Sequence, residues 1–407
     1  MVNAIPGARG CRGSLWGIPD LRPGPFSVDD PLGMVLFKAL DPWGQISADI
    51  SGANGKSTVI IKRANMKKTE HKLHIKGIWF QVLMILVLTA LIAYATLYIP
   101  GKSCTIFTVV QGDTVFYGNS EDQHNADPVI GFFPPSSEGF GSVHFGITKP
   151  DGQVNFEGAA NDQGLVWDCN STPKGKLNPE PNPGKPYYLD HPNFLYTITK
   201  KAATVDEAIH IAKTYHFGEV LKGQYHIADA NGDAVVISAG ADGKVAFTRK
   251  DAGDGYLLST NFNLAQPENG PVDFRWDIAK EKLEAVVNGA VLSPEYAMNL
   301  MESVHLESLT TYTLYQNVLY LNANKIYLTY MAQYNEIAQI DMEEEFAKGQ
   351  RVVEMREFFS SETAAEGDAA YQRFETRFKL AIISVITVSV LLIGLMVYLI
   401  NRRITTR

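Results

Sequence analysis

The spacing of apolar residues divides this 407-residue chain into unlike stretches. Residues 1–65 are punctuated by Pro, Gly and Ser, with no sustained period and no domain-sized apolar set. Ile78–Ile99 and Leu380–Ile400 are apolar on every side and carry no charge. Each has about the twenty residues that a membrane-spanning helix requires. Between these runs the pattern is mostly that of strands. Thr105–Val110 and Thr114–Tyr117 flank Gln111-Gly112-Asp113, a hairpin signal. Ser142–Thr148 and Gly164–Asp168 read as further strands. Tyr225–Ala228 and Ala234–Ser238 flank a second turn at Asp229–Asp233, and Thr311–Leu321 with Lys325–Met331 predict a late hairpin. Helical spacing occurs at Val205–Tyr215, with Thr204 as its cap, at Arg275–Val287, at Met342–Phe359 and at Ala364–Phe378. The proline-rich residues 173–192 predict a long loop, over a functional site or against a membrane. Hairpins interleaved with a few helices predict an α+β layered domain.

Charge orients the apolar runs. Lys67, Lys68, Lys72 and Lys76 precede the first, and Arg402, Arg403 and Arg407 follow the second. Positive flanks stay in the cytoplasm, so both ends are expected inside and the chain between the runs outside. Arg377 and Lys379 weaken this bias without reversing it. Met66 opens a basic start, an apolar middle and a small-residue end at Gly101 and Ser103, the order of an export signal. Residues 1–65 are therefore expected to be a spurious or disordered extension, and 66–103 a signal peptide or signal anchor. A domain is expected at 104–350, a juxtamembrane helical segment at 351–379, a membrane helix at 380–400 and a cytoplasmic tail at 401–407. The expected location is the cell membrane, with the domain on the extracytoplasmic side.

Composition narrows the chemistry. The net charge of −8, with no basic block away from the apolar runs, argues against a nucleic-acid partner. Ser51–Thr58 approaches a phosphate loop, but Ile50 stands where the pattern needs glycine, and no strand–helix unit surrounds it. Three cysteines, Cys11, Cys104 and Cys169, are too few for a disulfide framework and fit no zinc spacing. Cys104 follows small residues at Gly101 and Ser103, the two places that signal peptidase reads. Cleavage after Ser103 would give Cys104 a free α-amine. Such an amine has a pKa near 8, roughly. It can take the proton of its own thiol and later hand it to a leaving amine.

Cys104-Thr105-Ile106-Phe107 opening a hairpin that ends in Gly118-Asn119-Ser120-Glu121-Asp122 resembles the N-terminal-nucleophile amide hydrolases of the choloylglycine hydrolase and penicillin V acylase superfamily. Asn161-Asp162-Gln163-Gly164-Leu165 is similar to the family's Asn-Glu-Lys-Gly-Leu turn. Tyr225–Asp229 with Gly232 and Val235–Ile237 resembles its central hairpin, and Leu258-Ser259-Thr260-Asn261 its Leu-Thr-Asn segment. The matches span about 104–350 and lie nearest the linear amide C–N hydrolases. The resemblance implies a four-layer αββα N-terminal-nucleophile hydrolase domain, here flanked by two transmembrane helices. It implies that Cys104 attacks the carbonyl and Asp122 orients the α-amine. It implies that Asn261 donates to the oxyanion, a contribution of roughly 3–4 kcal/mol in comparable sites. Arg275 falls near an arginine that supports this network, and Asn170 lies one position from a second oxyanion residue. Asn119 stands where bile-salt hydrolases and penicillin V acylases carry arginine. That departure bears on substrate and on the thiol pKa, not on the nucleophile.

The implied activity is that of a membrane-anchored amidase that opens linear, non-peptide C–N bonds through a thioester on Cys104. It needs no metal or organic cofactor, and its partners are a small-molecule or lipid-like amide and membrane lipid. A second class is a catalytically silent envelope domain that binds an amide-containing ligand or partner. His124 and His144 raise a cysteine–histidine protease arrangement, and Asn170-Ser171-Thr172 forms a glycosylation sequon. Peptide mapping of the native protein is expected to recover no peptide from residues 1–65. Recovery of such peptides would refute the assignment of Met66 as the start.

Overall fold

The computed structural model describes residues 103–405, apart from 125–126, 150, 183, 252 and 270–272. The N-terminal extension, the signal or anchor segment at 66–103 up to residue 102, and the first apolar run lie outside the described residues. Contacts divide the chain into two units. Among the described residues one unit runs to Ser389, and the other begins at Val390.

Two antiparallel sheets form the larger unit. The first contains β1 (Ser103–Gln111), β2 (Thr114–Gln123), β10 (Tyr256–Ser259), β11 (Tyr312–Tyr320), β12 (Lys325–Tyr330) and β13 (Gln333–Asp341), in the order β10-β1-β2-β11-β12-β13. The second contains β3 (Asp127–Phe133), β4 (Ser142–Thr148), β5 (Val154–Asn161), β6 (Val166–Lys176), β7 (Val220–Ala228), β8 (Ala234–Ala239), β9 (Val245–Arg249) and β14 (Arg351–Glu354), in the order β14-β3-β4-β5-β6-β7-β8-β9. The β1–β2 hairpin closes between Gln111 and Thr114, and every later residue pair in it follows from that closure.

Alternation along each strand decides what each face meets. Ile106 and Tyr117 of the first sheet join Ile130, Phe132, Val143 and Phe145 of the second in one apolar cluster between the sheets. Phe107, Val109 and Phe116 point the other way. They meet Ala279, Leu283 and Val286 of α3 (Phe274–Val287) and Met298 and Met301 of α4 (Pro294–Ser303). Trp167, Tyr225 and Ile237 on the outer face of the second sheet meet Phe194, Leu195 and Ile198 of α1 (Phe194–Lys201) and Val205 and Ala208 of α2 (Val205–Ala212). Helices thus cover the outer face of both sheets, as the α+β layered reading required.

Local signals explain the helix starts. Thr204 forms a capping box with Glu207, the arrangement its position predicts. Asp273 caps α3 by accepting from the Arg275 backbone N–H. The 342–359 helix is not observed. Met342–Ala347 forms a short α5, Gly349 takes φ +84°, and residues 351–354 pair with β3. A positive φ ends the helix, and the Arg351 guanidinium then lies 4.6 Å over the Phe132 ring. These residues therefore belong to the sheet, not to a juxtamembrane helix. Residues up to Lys176 continue β6, and Tyr188 farther along packs against Phe217 and Phe194 in the cluster beside α1.

The last element, α6, runs from Ser361 to Thr405. Phe374 is part of the inter-sheet cluster. Within Ser361–Leu399 a window of mean hydropathy 2.8 is wholly unburied, so this helix has the length and composition to cross a membrane. It is one candidate span among the described residues, where two were expected over the whole chain.

His226 lies between the sheets, bonded to Thr108 Oγ1 and Ser259 Oγ at 2.9 Å each. Burial lowers its pKa to about 3. A histidine whose folded pKa is depressed binds its proton better when unfolded. Stability is therefore present above about pH 6.5 and is lost as pH falls toward about 3, by up to about 5 kcal/mol from this group. Urea unfolding at pH 4 and pH 7 is expected to show a smaller acid loss in His226→Gln than in the parent. An equal loss would contradict this account.

Candidate active site

Every polar atom of Cys104 is engaged. Its backbone N–H donates to Asn261 Oδ1 at 2.9 Å. Its carbonyl accepts from Asn170 Nδ2 at 3.0 Å. Its thiol lies 3.7 Å from Glu121 Oε2, as donor to that carboxylate. What sets Cys104 apart is the chemistry of its partners: amide side chains meet both its backbone groups and a carboxylate meets its thiol. Cys104 itself is only 3% exposed.

The strand register sets these contacts. Cys104 pairs with Glu121 and Ser103 with Asp122 across the β1–β2 hairpin. Cys104 and Glu121 therefore face the space between the sheets, whereas Asp122 points to the helix side. There Asp122 accepts from Thr313 Oγ1 at 2.5 Å and Ser120 Oγ at 3.1 Å. Arg275, at the start of α3, sits 3.4 Å from Asp122 Oδ2. The same guanidinium donates to Asn261 Oδ1 at 2.9 Å and is held by Asp273 at 2.7 Å. A chain of contacts thus runs from Asp122 through Arg275 and Asn261 to the Cys104 nitrogen.

Arg275 also fixes the Asn261 amide. A guanidinium is donor only, so the oxygen of Asn261 must face it. The Asn261 nitrogen then donates to Ser171 O at 2.9 Å. In this state Asn261 holds the Cys104 backbone, and its amide donor is engaged with Ser171. Asn170 is the side-chain amide that donates directly to Cys104. All five residues expected from the sequence, Cys104, Asp122, Asn170, Asn261 and Arg275, lie in this one neighbourhood. The structure joins Asp122 to Cys104 through Arg275 and Asn261.

Electrostatics on the two sides of the sheet differ. Burial pushes the Cys104 thiol well above its usual range, and Glu121, Asp168, Asp122 and Glu157 push in the same direction. Asn119 stands in the position where the resemblance leads one to look for an arginine, and it donates to Asp168 Oδ2 at 2.8 Å. Burial also raises Asp122 to about 6, against the opposing pull of Arg275, Thr313 and Ser120.

Glu121, Glu157 and Asp168 are absent from the sequence-based site. Glu121 was within reach, since counting back from the Gln111–Thr114 closure puts it opposite Cys104. Glu157 and Asp168 arrive from the second sheet, which no local pattern in the first predicts. Asp168 also depends on Gly158, where a Cβ would stand 2.2 Å from its Oδ2. The histidine alternatives do not join this centre. The His124 ring packs on Phe374 and Phe378, and His144 packs between Phe133 and Phe156. Among the described residues neither is hydrogen-bonded to Cys104. The Asn170 sequon is closed as well, because Asn170 is fully buried.

No family model matches this chain, and no curated protein matches it significantly. Among solved structures it is similar to a mutant of conjugated bile acid hydrolase from Clostridium perfringens, at 15% identity over 62% of this chain and 96% of that one, with a TM-score of 0.45. A second variant of that hydrolase gives 15% identity, 62% and 96% coverage and a TM-score of 0.46. Penicillin V acylase from Agrobacterium tumefaciens is similar at 16% identity over 59% of this chain and 86% of that one, with a TM-score of 0.45.

The raised Asp122 carries a signed pH effect. The folded state binds this proton more tightly than the unfolded chain. Stability from this group therefore falls as pH climbs from about 4 to about 6, by about 3 kcal/mol. Asp122→Asn has no such titration. Its stability difference from the parent is expected to shift in favour of the variant between pH 4 and pH 7. A pH-independent difference in denaturation midpoints would contradict this.

Proposed function

We propose that residues from Cys104 onward form an N-terminal-nucleophile amidase that hydrolyses linear, non-peptide C–N bonds. The observation that carries this reading is the three-way engagement of Cys104 at nitrogen, oxygen and sulfur. Its nitrogen ends the Asp122–Arg275–Asn261 chain, which is the placement an orienting network for a catalytic amine requires. We further propose that α6 anchors the domain in a membrane through residues 380–400, with the domain outside, on the strength of the cationic residues Arg402 and Arg403 beyond it.

The chemistry follows from the local field. Carboxylates around a buried thiol oppose a standing thiolate. Deprotonation must accompany attack, so a base must be in place. Release of Ser103 would supply one as the Cys104 α-amine. The amine takes the thiol proton as the sulfur–carbon bond forms, and the carbonyl π electrons move to oxygen. Asn170 lies beside Cys104 with a side-chain amide suited to that oxyanion, and Asn261 is the second amide in reach. The collapsing intermediate breaks the C–N bond, and the leaving amine takes the proton back. Water then attacks the thioester, giving its proton to the amine, and the thiol is restored with release of the acid. Arg275 and Asp122 act as positioning residues through Asn261.

Two measurements test this reading. N-terminal sequencing of the active protein is expected to begin at Cys104. Cys104→Ala is expected to lower turnover of an acylated-amine library by about a thousandfold or more. Active protein that keeps residues upstream of Cys104, or unchanged turnover in the variant, would overturn the mechanism. The silent binding domain would then be favoured.

A further inference from the structure

Arg275 is not the only group that grips Asp122. Ser120 and Asp122 flank Glu121 along β2 and so share one face of the strand. On the neighbouring β11, Ser120 pairs with Gln316 and Asp122 pairs with Thr313. Residues two apart on β2 therefore match residues three apart on β11, because the register shifts between Thr313 and Tyr315. An extra residue of this kind re-aims a side chain. With regular pairing Leu314 would stand opposite Asp122. Instead Leu314 joins Tyr315 in the apolar cluster between the sheets, and the Thr313 hydroxyl takes the place beside the carboxylate. The Leu314 carbonyl accepts from the Met331 N–H at 2.7 Å, which ties the irregular strand down.

The surroundings fix the direction of these hydrogen bonds. The Leu306 backbone N–H donates to Thr313 Oγ1 at 2.7 Å, so the Thr313 proton goes to Asp122 Oδ1 at 2.5 Å. Gln316 cannot be turned over. Its Nε2 lies 2.7 Å from the Met301 carbonyl, which only accepts, and its Oε1 accepts from the Tyr334 hydroxyl at 2.8 Å. The same Nε2 donates to Ser120 Oγ at 2.9 Å, and Ser120 directs its own proton to Asp122 Oδ1 at 3.1 Å. Ser120, Asp122, Thr313 and Gln316 are all fully buried. Two hydroxyls thus meet one carboxylate oxygen, and Arg275 of α3 meets the other. Donors on both oxygens favour the charged form against burial. Three other elements bring charge to the same place among the described residues. Asp273, the cap of α3, holds Arg275. His305, just past α4, acts on Asp122 in the same sense as Arg275. Burial, Asp122, Glu302 and Glu307 push the Tyr334 hydroxyl of β13 well above its usual range, so it stays a donor.

We infer that Thr313 and Ser120 are positioning residues of the proposed amidase, whose oriented hydroxyls keep Asp122 a carboxylate aimed at Arg275. The effect on turnover rests on the amidase reading above; the effect on Asp122 itself does not. A protonated Asp122 would deprive Arg275 of one of its two carboxylates. Arg275 in turn sets the Asn261 oxygen that receives the Cys104 nitrogen. Removing either hydroxyl raises the pH at which Asp122 ionises, and the acid limb of the pH–rate profile follows it upward. A hydroxyl that served packing alone would change stability and leave that limb in place.

The test uses the full chain in detergent, with Thr313→Val and Ser120→Ala to remove a hydroxyl and Thr313→Ser to keep one. Two variants are used so that one failing to fold leaves the other. Urea unfolding from pH 4 to pH 8 compares each protein with its own Asp122→Asn counterpart. The pH at which that difference stops changing reports Asp122, and in the parent it is expected at about 6. Thr313→Val and Ser120→Ala are each expected to raise it by about one pH unit. Thr313→Ser is expected to keep the parent value. The pH profile of kcat is then measured by amine release from the fastest-cleaved member of an acylated-amine library. Its acid limb is expected to move by the same amount in the same variants. Unshifted unfolding end-points in Thr313→Val and Ser120→Ala overturn the inference, whether or not amides are cleaved. Shifted end-points beside an unmoved acid limb overturn the positioning role and leave the amidase standing. Shifted end-points without Cys104-dependent turnover overturn the amidase and leave the grip on Asp122 standing.

Discussion

The pairing of β1 with β2 is the constraint on which the site depends. A strand presents successive residues to opposite faces, so a slip of one residue would exchange the two environments. In the observed register Cys104 faces the second sheet and Asp122 faces α3. Cys104 and Asp122 are thereby separated by the thickness of a sheet. They are reconnected through Asn261 and Arg275. The Gln111–Thr114 closure of a tight hairpin fixes this register locally, before any distant part of the chain contributes.

The two faces carry opposite electrostatic programmes. On the helix side Arg275 balances Asp122 and Asp273 within one hydrogen-bonded set. On the inter-sheet side the carboxylates are joined through amide side chains, with Gln123 and Asn119 as the linking groups. Burial and these carboxylates raise the Cys104 thiol above its usual range.

What was legible in the sequence follows from the range of each interaction. Turn chemistry and alternation are local, so the β1–β2, β7–β8 and β11–β12 hairpins and the capped α2 were readable. β14 was not, because Met342–Phe359 has helical spacing and only Gly349 and the pairing with β3 turn it into an edge strand. β13 was missed because its neighbour Met331–Ala332 takes positive φ, a tight reversal made by residues that do not announce one. The five expected site residues were readable from the resemblance, yet their wiring was not. That Asn261 turns its oxygen to Arg275 is a tertiary fact, fixed by a guanidinium fourteen residues later in the chain. Glu157 and Asp168 lie in the second sheet, and sheet-on-sheet packing leaves no mark in either sequence segment.

Asn170 carries a consequence for how the protein can be made. It belongs to an Asn-Ser-Thr acceptor sequence, yet in the folded domain it is sealed against the Cys104 carbonyl. In a secretory pathway that attaches sugars to nascent chains, folding and glycan transfer would compete for the same side chain. A sugar that arrived first would occupy the space that β1 must fill. Production in a host without such transfer avoids the contest. In any other host, a glycan mass on the peptide that contains Asn170 would count the molecules that lost it.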